Sequence, residues 1–257
     1  MVRTLALAAV IVGVANPVSP VIARHVVLAE LFTSEGCSSC PPADRLLQTI
    51  AATSPVPGVE VIGLEEHVDY WDRLGWRDPF SSSAFTDRQS EYAHRVFRST
   101  QIYTPQLVVD GAFEAVGSDG ASTRAAIADA AAQPAAAVVV HASAVGDRAN
   151  VDVAVDASRI HRDEVGDIVV AVVGDGLVSV VRAGENGGRT LVHGGIVRSL
   201  ITIGSIPGNT AQTTVTSTAP LSSSAKGQVR IVAFVQGQRT RRIYGSGVSA
   251  LSLSGGR

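Results

Sequence analysis

A chain of 257 residues that is 46% hydrophobic and 17% charged, with a formal net charge of -2, has ample material for a core and no marked charge excess. Lys226 is the only lysine and the arginines are scattered, which excludes the basic stripe expected of a nucleic-acid-binding protein. At the amino end, residues 1–23 read as an export signal. Arg3 supplies a short positive start and Leu5 to Val14 an apolar run of about ten residues, too short to span a bilayer. Gly13-Val14-Ala15 and Val21-Ile22-Ala23 each offer small residues before a cleavage point. The mature protein is then expected in the periplasm or secreted, where disulfides persist, with no membrane span after signal removal.

Val26 to Phe32 is a buried-strand pattern, and Thr33 to Gly36 a polar turn that delivers Cys37. Pro42 suits a first helical turn, and Ala43, Leu46, Leu47, Ile50 and Ala51 mark an apolar stripe to Ala52. Val59 to Leu64 is a second strand. The stretch Glu65 to Tyr103 holds eight of the twelve Phe, Tyr and Trp residues and reads as a helical insertion, with Ser82 or Ser83 capping a helix to Phe97. Leu107 to Val109 and Ala112 to Val116 flank Asp110-Gly111, a hairpin turn signal. Ser122 to Ala132, capped by Ser122, reads as an alanine-rich helix. Beyond Pro134 come short β-like runs: Ala136–Ala144, Ala149–Val155, Asp167–Val173, Leu177–Arg182, Ile196–Ile203, Thr213–Ser217 and Val229–Val235, with Leu251 to Arg257 as a frayed tail.

The two cysteines, Cys37 and Cys40, are spaced C-x-x-C between a strand and a helix, the arrangement of thioredoxin-like redox sites. The expected fold is therefore α/β: a thioredoxin-like domain over residues 24–133, with a helical insertion at about 65–103, followed by a smaller all-β, sandwich-like domain over 134–257. A thiolate at Cys37 would attack a disulfide and Cys40 would resolve the mixed disulfide. Because Cys40 precedes Pro41, and residues before proline avoid the α region, the helix is expected to begin at Pro42 with both cysteines outside it. A bridge across so small a loop adds little stability, which favours redox or metal use over a purely structural role.

Thr104-Pro105 opens the strand LVVDG, the place at which thioredoxin-like folds carry a cis-proline beside the dithiol. Thr104 and Trp71 are the expected substrate-docking residues. His67 follows the second strand; it could assist a thiol or complete a Cys37, Cys40 and His67 site for copper(I). Asp69 or Asp72 reads as a helix cap, with the tryptophans filling the insertion. Glu185, Asn186, Arg189 and His193 lie among glycines, and a long turn is the simpler explanation for them.

The segments ELFTSEGCSSCPPAD, HVDYWDRLGWRDPF, YTPQLVVDG and GENGGRTLVH, in this order, resemble the exported bacterial family catalogued as domain of unknown function twelve twenty-three. The resemblance implies a thioredoxin-like fold, Cys37 and Cys40 as the dithiol and Pro105 as the cis-proline position; it supplies no substrate. The leading functional expectation is an exported thiol–disulfide oxidoreductase, without cofactor, acting on protein thiols or disulfides of the cell envelope. The alternatives are a copper(I)-binding module and a non-catalytic binding protein with a structural disulfide.

Overall fold

The computed structural model describes residues 25–221 and 228–251. The export signal read over 1–23 and the tail beyond Leu251 lie outside those residues. Strand β1 (His25–Thr33) leads through a short loop into α1 (Cys40–Thr53) and β2 (Val59–His67). The inserted stretch holds a 3-10 turn (Asp72–Leu74) and α2 (Ser83–Arg95), and β3 (Gln106–Val109), β4 (Phe113–Val116) and α3 (Gly120–Ala131) follow. The remainder is strand: β5 (Ala137–Val145), β6 (Arg148–Asp156), β7 (Val165–Val180), β8 (Thr190–Pro207), β9 (Thr213–Pro220), β10 (Gln228–Gly237) and β11 (Ile243–Leu251). Among the described residues no helix is long and apolar enough to cross a membrane.

The expected fold class is overturned. Strand makes up 48% of the structure and helix 19%, and one mixed sheet of eight strands runs in the order β11-β10-β7-β8-β2-β1-β3-β4. The chain is therefore mostly β, rather than a thioredoxin-like α/β domain followed by a smaller sandwich. The joint that defeats the earlier expectation is β2 against β8, paired in parallel at Glu65 and Ile196. A strand's own residues do not name its neighbour, so local pattern could not reveal this partner. At the same joint the backbones come close: a Cβ on Gly195 (φ 98°) would lie 2.8 Å from the Gly63 carbonyl oxygen. Only glycine fits there.

β1 lies parallel to β2 and antiparallel to β3, and its residues from Val27 onward are buried. Alternation divides them between two cores. Val27, Ala29 and Leu31 meet Ala43, Leu47 and Ile50 of α1 and Ala126, Ile127 and Ala130 of α3. Leu28 packs with Ile62 and Leu64 of β2, Phe85 of α2, and Val169, Ala171, Val232 and Phe234 of β7 and β10. The sheet also curls: the Ile243 amide of the edge strand β11 donates to Asp110 O in the β3–β4 turn at the opposite end, at 2.8 Å. The second sheet, β5-β6-β9, covers the other side of β7 and β10, where Val151, Val153 and Val155 meet Ile168, Val170, Val172 and Ile231.

Three local expectations also change. The runs Asp167–Val173 and Leu177–Arg182 form one strand, β7, because register shifts against β8 around Gly174 and Asp175 absorb the glycines as irregularities instead of a turn. The α3 cap is Asp119, whose Oδ1 accepts from Ala121 N and Ser122 N, so the helix starts before Ser122. Helix α1 begins at Cys40; Pro41 and Pro42 fall in its first turn, where a missing N–H costs no intrahelical bond.

The β3–β4 turn has Asp110 at φ 45° and Gly111 at φ 62°, the paired left-handed conformation of a tight hairpin. Asp110 Oδ1 accepts from Leu28 N at 2.8 Å. Burial pushes this carboxyl up to about 7 from 3.8, with Glu30 adding to the rise and the Leu28 amide and Arg242 opposing it. An acid whose folded value is raised contributes stability at low pH and loses it as pH climbs through about 7. Asp110→Asn keeps an acceptor for Leu28 and tolerates the backbone angle. We expect it to melt above the parent protein at pH 8, with the difference closing toward pH 4; equal melting profiles across that range would contradict this.

Candidate functional site

The loop between β1 and α1 is a compact turn. Ser34 Oγ accepts from Gly36 N at 3.1 Å, and Cys37 N donates to Ser34 O at 3.2 Å. Cys37 and Cys40 are joined by a disulfide. Both are fully buried, although Ser38 and Ser39 between them are exposed. The turn between β7 and β8 is bonded to this loop. Asn186, itself fully buried, donates through Nδ2 to Glu35 O at 2.9 Å and Cys37 O at 2.8 Å. Ser38 N donates to Glu185 Oε2 at 2.9 Å. The turn is held in shape by Gly188 N donating to Val181 O and by Arg189 donating to Asn186 Oδ1. The glycine-rich GENGGR segment is a turn, as read, and its polar residues also act across the chain on the cysteine loop.

The Thr104–Pro105 peptide is cis and Pro105 is buried. Trp71 connects this segment to the cysteine loop. Its Nε1 donates to Thr104 Oγ1 at 2.8 Å, and its Cβ stands against Gly36, where an added Cβ would be 3.2 Å away. Pro105 and Ala43 of α1 both border Gly117, whose N–H donates to Pro105 O at 2.9 Å. Cys37, Cys40, Trp71, Thr104 and Pro105 are thus gathered around one end of the sheet.

His67 is placed among other groups. Its Nδ1 lies 2.7 Å from Asp78 Oδ2, and its ring meets the His193 ring at a centroid distance of 5.2 Å. His193 Nε2 lies 3.0 Å from Glu35 Oε1 and its Nδ1 3.6 Å from Glu65 Oε2. Glu35 also accepts from Trp76 Nε1 at 2.8 Å, and its backbone N–H donates to Asp78 Oδ2 at 2.8 Å. Asp44 Oδ1 accepts from Thr33 Oγ1 at 2.7 Å. These six ionisable residues are all buried. Burial opposes a charged His193, but Glu35 and Glu65 outweigh it and lift the imidazole to about 10. His67 is raised in the same way by Asp78, and the Asp78 carboxyl is held below its ordinary value by His67. Burial and Glu65 push Asp44 up to about 7.

Asp69 and Asp72, one or other of them read as a cap, brace the insertion instead: Asp69 Oδ1 accepts from Thr86 Oγ1, and Asp72 from Asp78 N and Ser81 Oγ. Sequence reasoning missed Glu35, Asp44, Glu65 and Asp78. The available signal was Glu65-Glu66-His67 closing a strand whose preceding run, Val61 to Leu64, is apolar, since charges rarely enter a buried strand without partners.

The family model described as "protein of unknown function (DUF1223)" matches residues 28–236, a span that includes the disulfide, Thr104-Pro105, Asn186 and His193. The chain belongs to this family. Among solved structures, the crystal structure of an Agrobacterium tumefaciens protein is 26% identical at a TM-score of 0.66, covering 91% of this chain and 98% of that one. HBP35 of Porphyromonas gingivalis aligns at a TM-score of 0.66 and 14% identity, over 89% of this chain and 76% of its own, a likeness of fold alone. No curated protein matches the chain.

Proposed function

We propose that the protein is an exported thiol–disulfide oxidoreductase whose Cys37–Cys40 couple works beneath a removable cover. The observation that carries this reading is how the bridge is sealed. Both sulfurs are buried, and the β7–β8 turn is tied to the cysteine loop by three hydrogen bonds, two from Asn186 and one to Glu185. Such a cover can open locally while the sheet stays folded.

With the cover open, a substrate thiolate attacks Cys37 Sγ, forming a mixed disulfide and releasing Cys40 as thiolate. Cys40 is the first residue of α1, where the helix dipole and free amides favour an anion. Asp44 lies one helical turn on, on the same face, and its carboxyl, raised to about 7, exchanges the proton that Cys40 gains or loses. A second substrate thiol then displaces Cys37, leaving a substrate disulfide and the reduced couple; the reverse sequence reduces a disulfide. Trp71 and Thr104 form the edge where the substrate chain rests. The partners are protein thiols or disulfides of the cell envelope, and no cofactor is required.

The test is turnover of a model dithiol and a model disulfide by the protein and by Cys37→Ser. We expect the variant to lose at least about a hundredfold in rate, in line with removal of an essential nucleophile. Equal, negligible rates for both would end the proposal. Full burial of both sulfurs favours a second reading, a bridge that only pins the loop. A reduction potential below about -300 mV would select that reading.

A further inference from the structure

Glu65, His67 and His193 each present one ligand-type atom to a common point, and these atoms lie within 4.8 Å of one another. In each of the three residues one such atom, Glu65 Oε2, His67 Nε2 and His193 Nδ1, is buried without a hydrogen-bond partner among the described residues. Both histidine side chains are only 1% exposed and the Glu65 side chain 0%. His193 Nδ1 and Glu65 Oε2 have only each other, as an ion pair at 3.6 Å, and His67 Nε2 has no partner at all among the described residues, an arrangement that is ordinarily costly in a buried space.

The opposite side of each ring is arranged as metal-binding histidines usually are. His67 places Nδ1 at 2.7 Å from the Asp78 carboxylate, and His193 places Nε2 at 3.0 Å from the Glu35 carboxylate. A carboxylate that accepts the N–H on one side of an imidazole fixes the ring, and the other nitrogen ligates an ion that displaces the proton held there. Spacing also fits. Two ligands about 2.1 Å from one tetrahedral ion stand about 3.4 Å apart, and His193 Nδ1 and Glu65 Oε2 are separated by 3.6 Å.

We infer that Glu65, His67 and His193 form a binding site for one divalent transition-metal ion of the zinc(II) type. The two nitrogens and one carboxylate oxygen suit zinc, cobalt(II) or iron(II) better than the oxygen-seeking magnesium or calcium ions. A fourth position is left for water or another ligand. Access runs past Gln48, whose Nε2 donates to Glu65 Oε1 at 3.0 Å and which lines a surface cavity of about 480 Å³ that reaches His193. The site owes nothing to the cysteines, so it stands or falls apart from the thiol chemistry.

The test is equilibrium dialysis of zinc(II), and separately of cobalt(II), against the untagged full chain with its disulfide intact, so that no thiolate competes. We expect one ion per chain and the intense visible bands of four-coordinate cobalt. Affinity should fall at least about a hundredfold in Glu65→Gln and His193→Gln. Asp78→Asn, which reaches the site through His67 and keeps an acceptor for the Glu35 amide, should lose about ten- to a hundredfold. Circular dichroism establishes that each variant is folded; Glu65→Gln, which keeps its volume and can still meet Gln48, decides the matter if the histidine variants are not. Sub-stoichiometric binding by the folded parent chain, or unchanged affinity in Glu65→Gln, would overturn the site.

Discussion

Replacing Arg88 with methionine should cost about 3–5 kcal/mol, which is what removing one partner of a buried ion pair does. That is a large share of the ~5–15 kcal/mol that holds most domains folded. Arg88 reaches from α2 to Glu30 of β1 at 2.6 Å and to Gln236 of β10 at 2.9 Å, and its Nη2 donates to the Tyr92 hydroxyl. Tyr92 donates in turn to Glu30 at 2.6 Å. Glu66 sits 3.6 Å from the same guanidinium. Glu30 and Glu66 are both fully buried, and Glu66 is already pushed well above the usual carboxylate range by burial and by Glu30. Methionine fills the space but leaves two buried acids facing each other without their cation. The inserted helix would also lose its tie to both halves of the curled sheet. Urea unfolding followed by circular dichroism measures the loss. Adding Glu30→Gln to Arg88→Met should recover part of it, because the double variant no longer strands a charge. A loss below about 1 kcal/mol would mean that the network is incidental to stability.

This network shows where reading the sequence stops. Strand β1, helices α1 and α2 and the Asp110-Gly111 hairpin were legible because each depends on neighbours a few positions away: an apolar run, a stripe at helical spacing, a Ser82 cap that accepts from Ala84 N, a turn that needs left-handed residues. The Cys37–Cys40 pair was legible for the same reason. The sheet order was not, because the β2–β8 joint brings together residues as distant as Glu65 and Ile196. Strand β11 escaped notice because its sequence, IYGSGVSAL, is half small or polar, although most of it is buried. The ionisable cluster was the least legible part. Glu35 has meaning only beside His193, 158 positions away, and Glu65 only once β8 lies next to β2. Buried charges are explained by their partners, and their partners are a property of the topology.

The cover over the disulfide gives the second large effect. Asn186→Asp should speed reduction of the Cys37–Cys40 bridge about ten- to a hundredfold under native conditions. Asn186 spends both protons of its amide on the carbonyls of Glu35 and Cys37, at 2.9 and 2.8 Å, from a fully buried position. Aspartate has the same shape but offers acceptors where donors are needed, so the closed state loses both bonds and gains repulsion. At about 1–3 kcal/mol for such a loss, and a factor of ten for each ~1.4 kcal/mol, the open population rises by one to two decades. Glu185→Ala should act in the same direction but less, because its carboxylate meets Ser38 N in the exposed part of the turn. The rate is read by quenching a phosphine reduction with an alkylating agent and weighing the products. Low urea distinguishes the route: reduction through local opening is nearly insensitive to it, whereas reduction through global unfolding accelerates steeply. An Asn186→Asp protein reduced no faster than its parent would show that the turn does not control access to the sulfurs, and the oxidoreductase reading would lose the feature on which it rests.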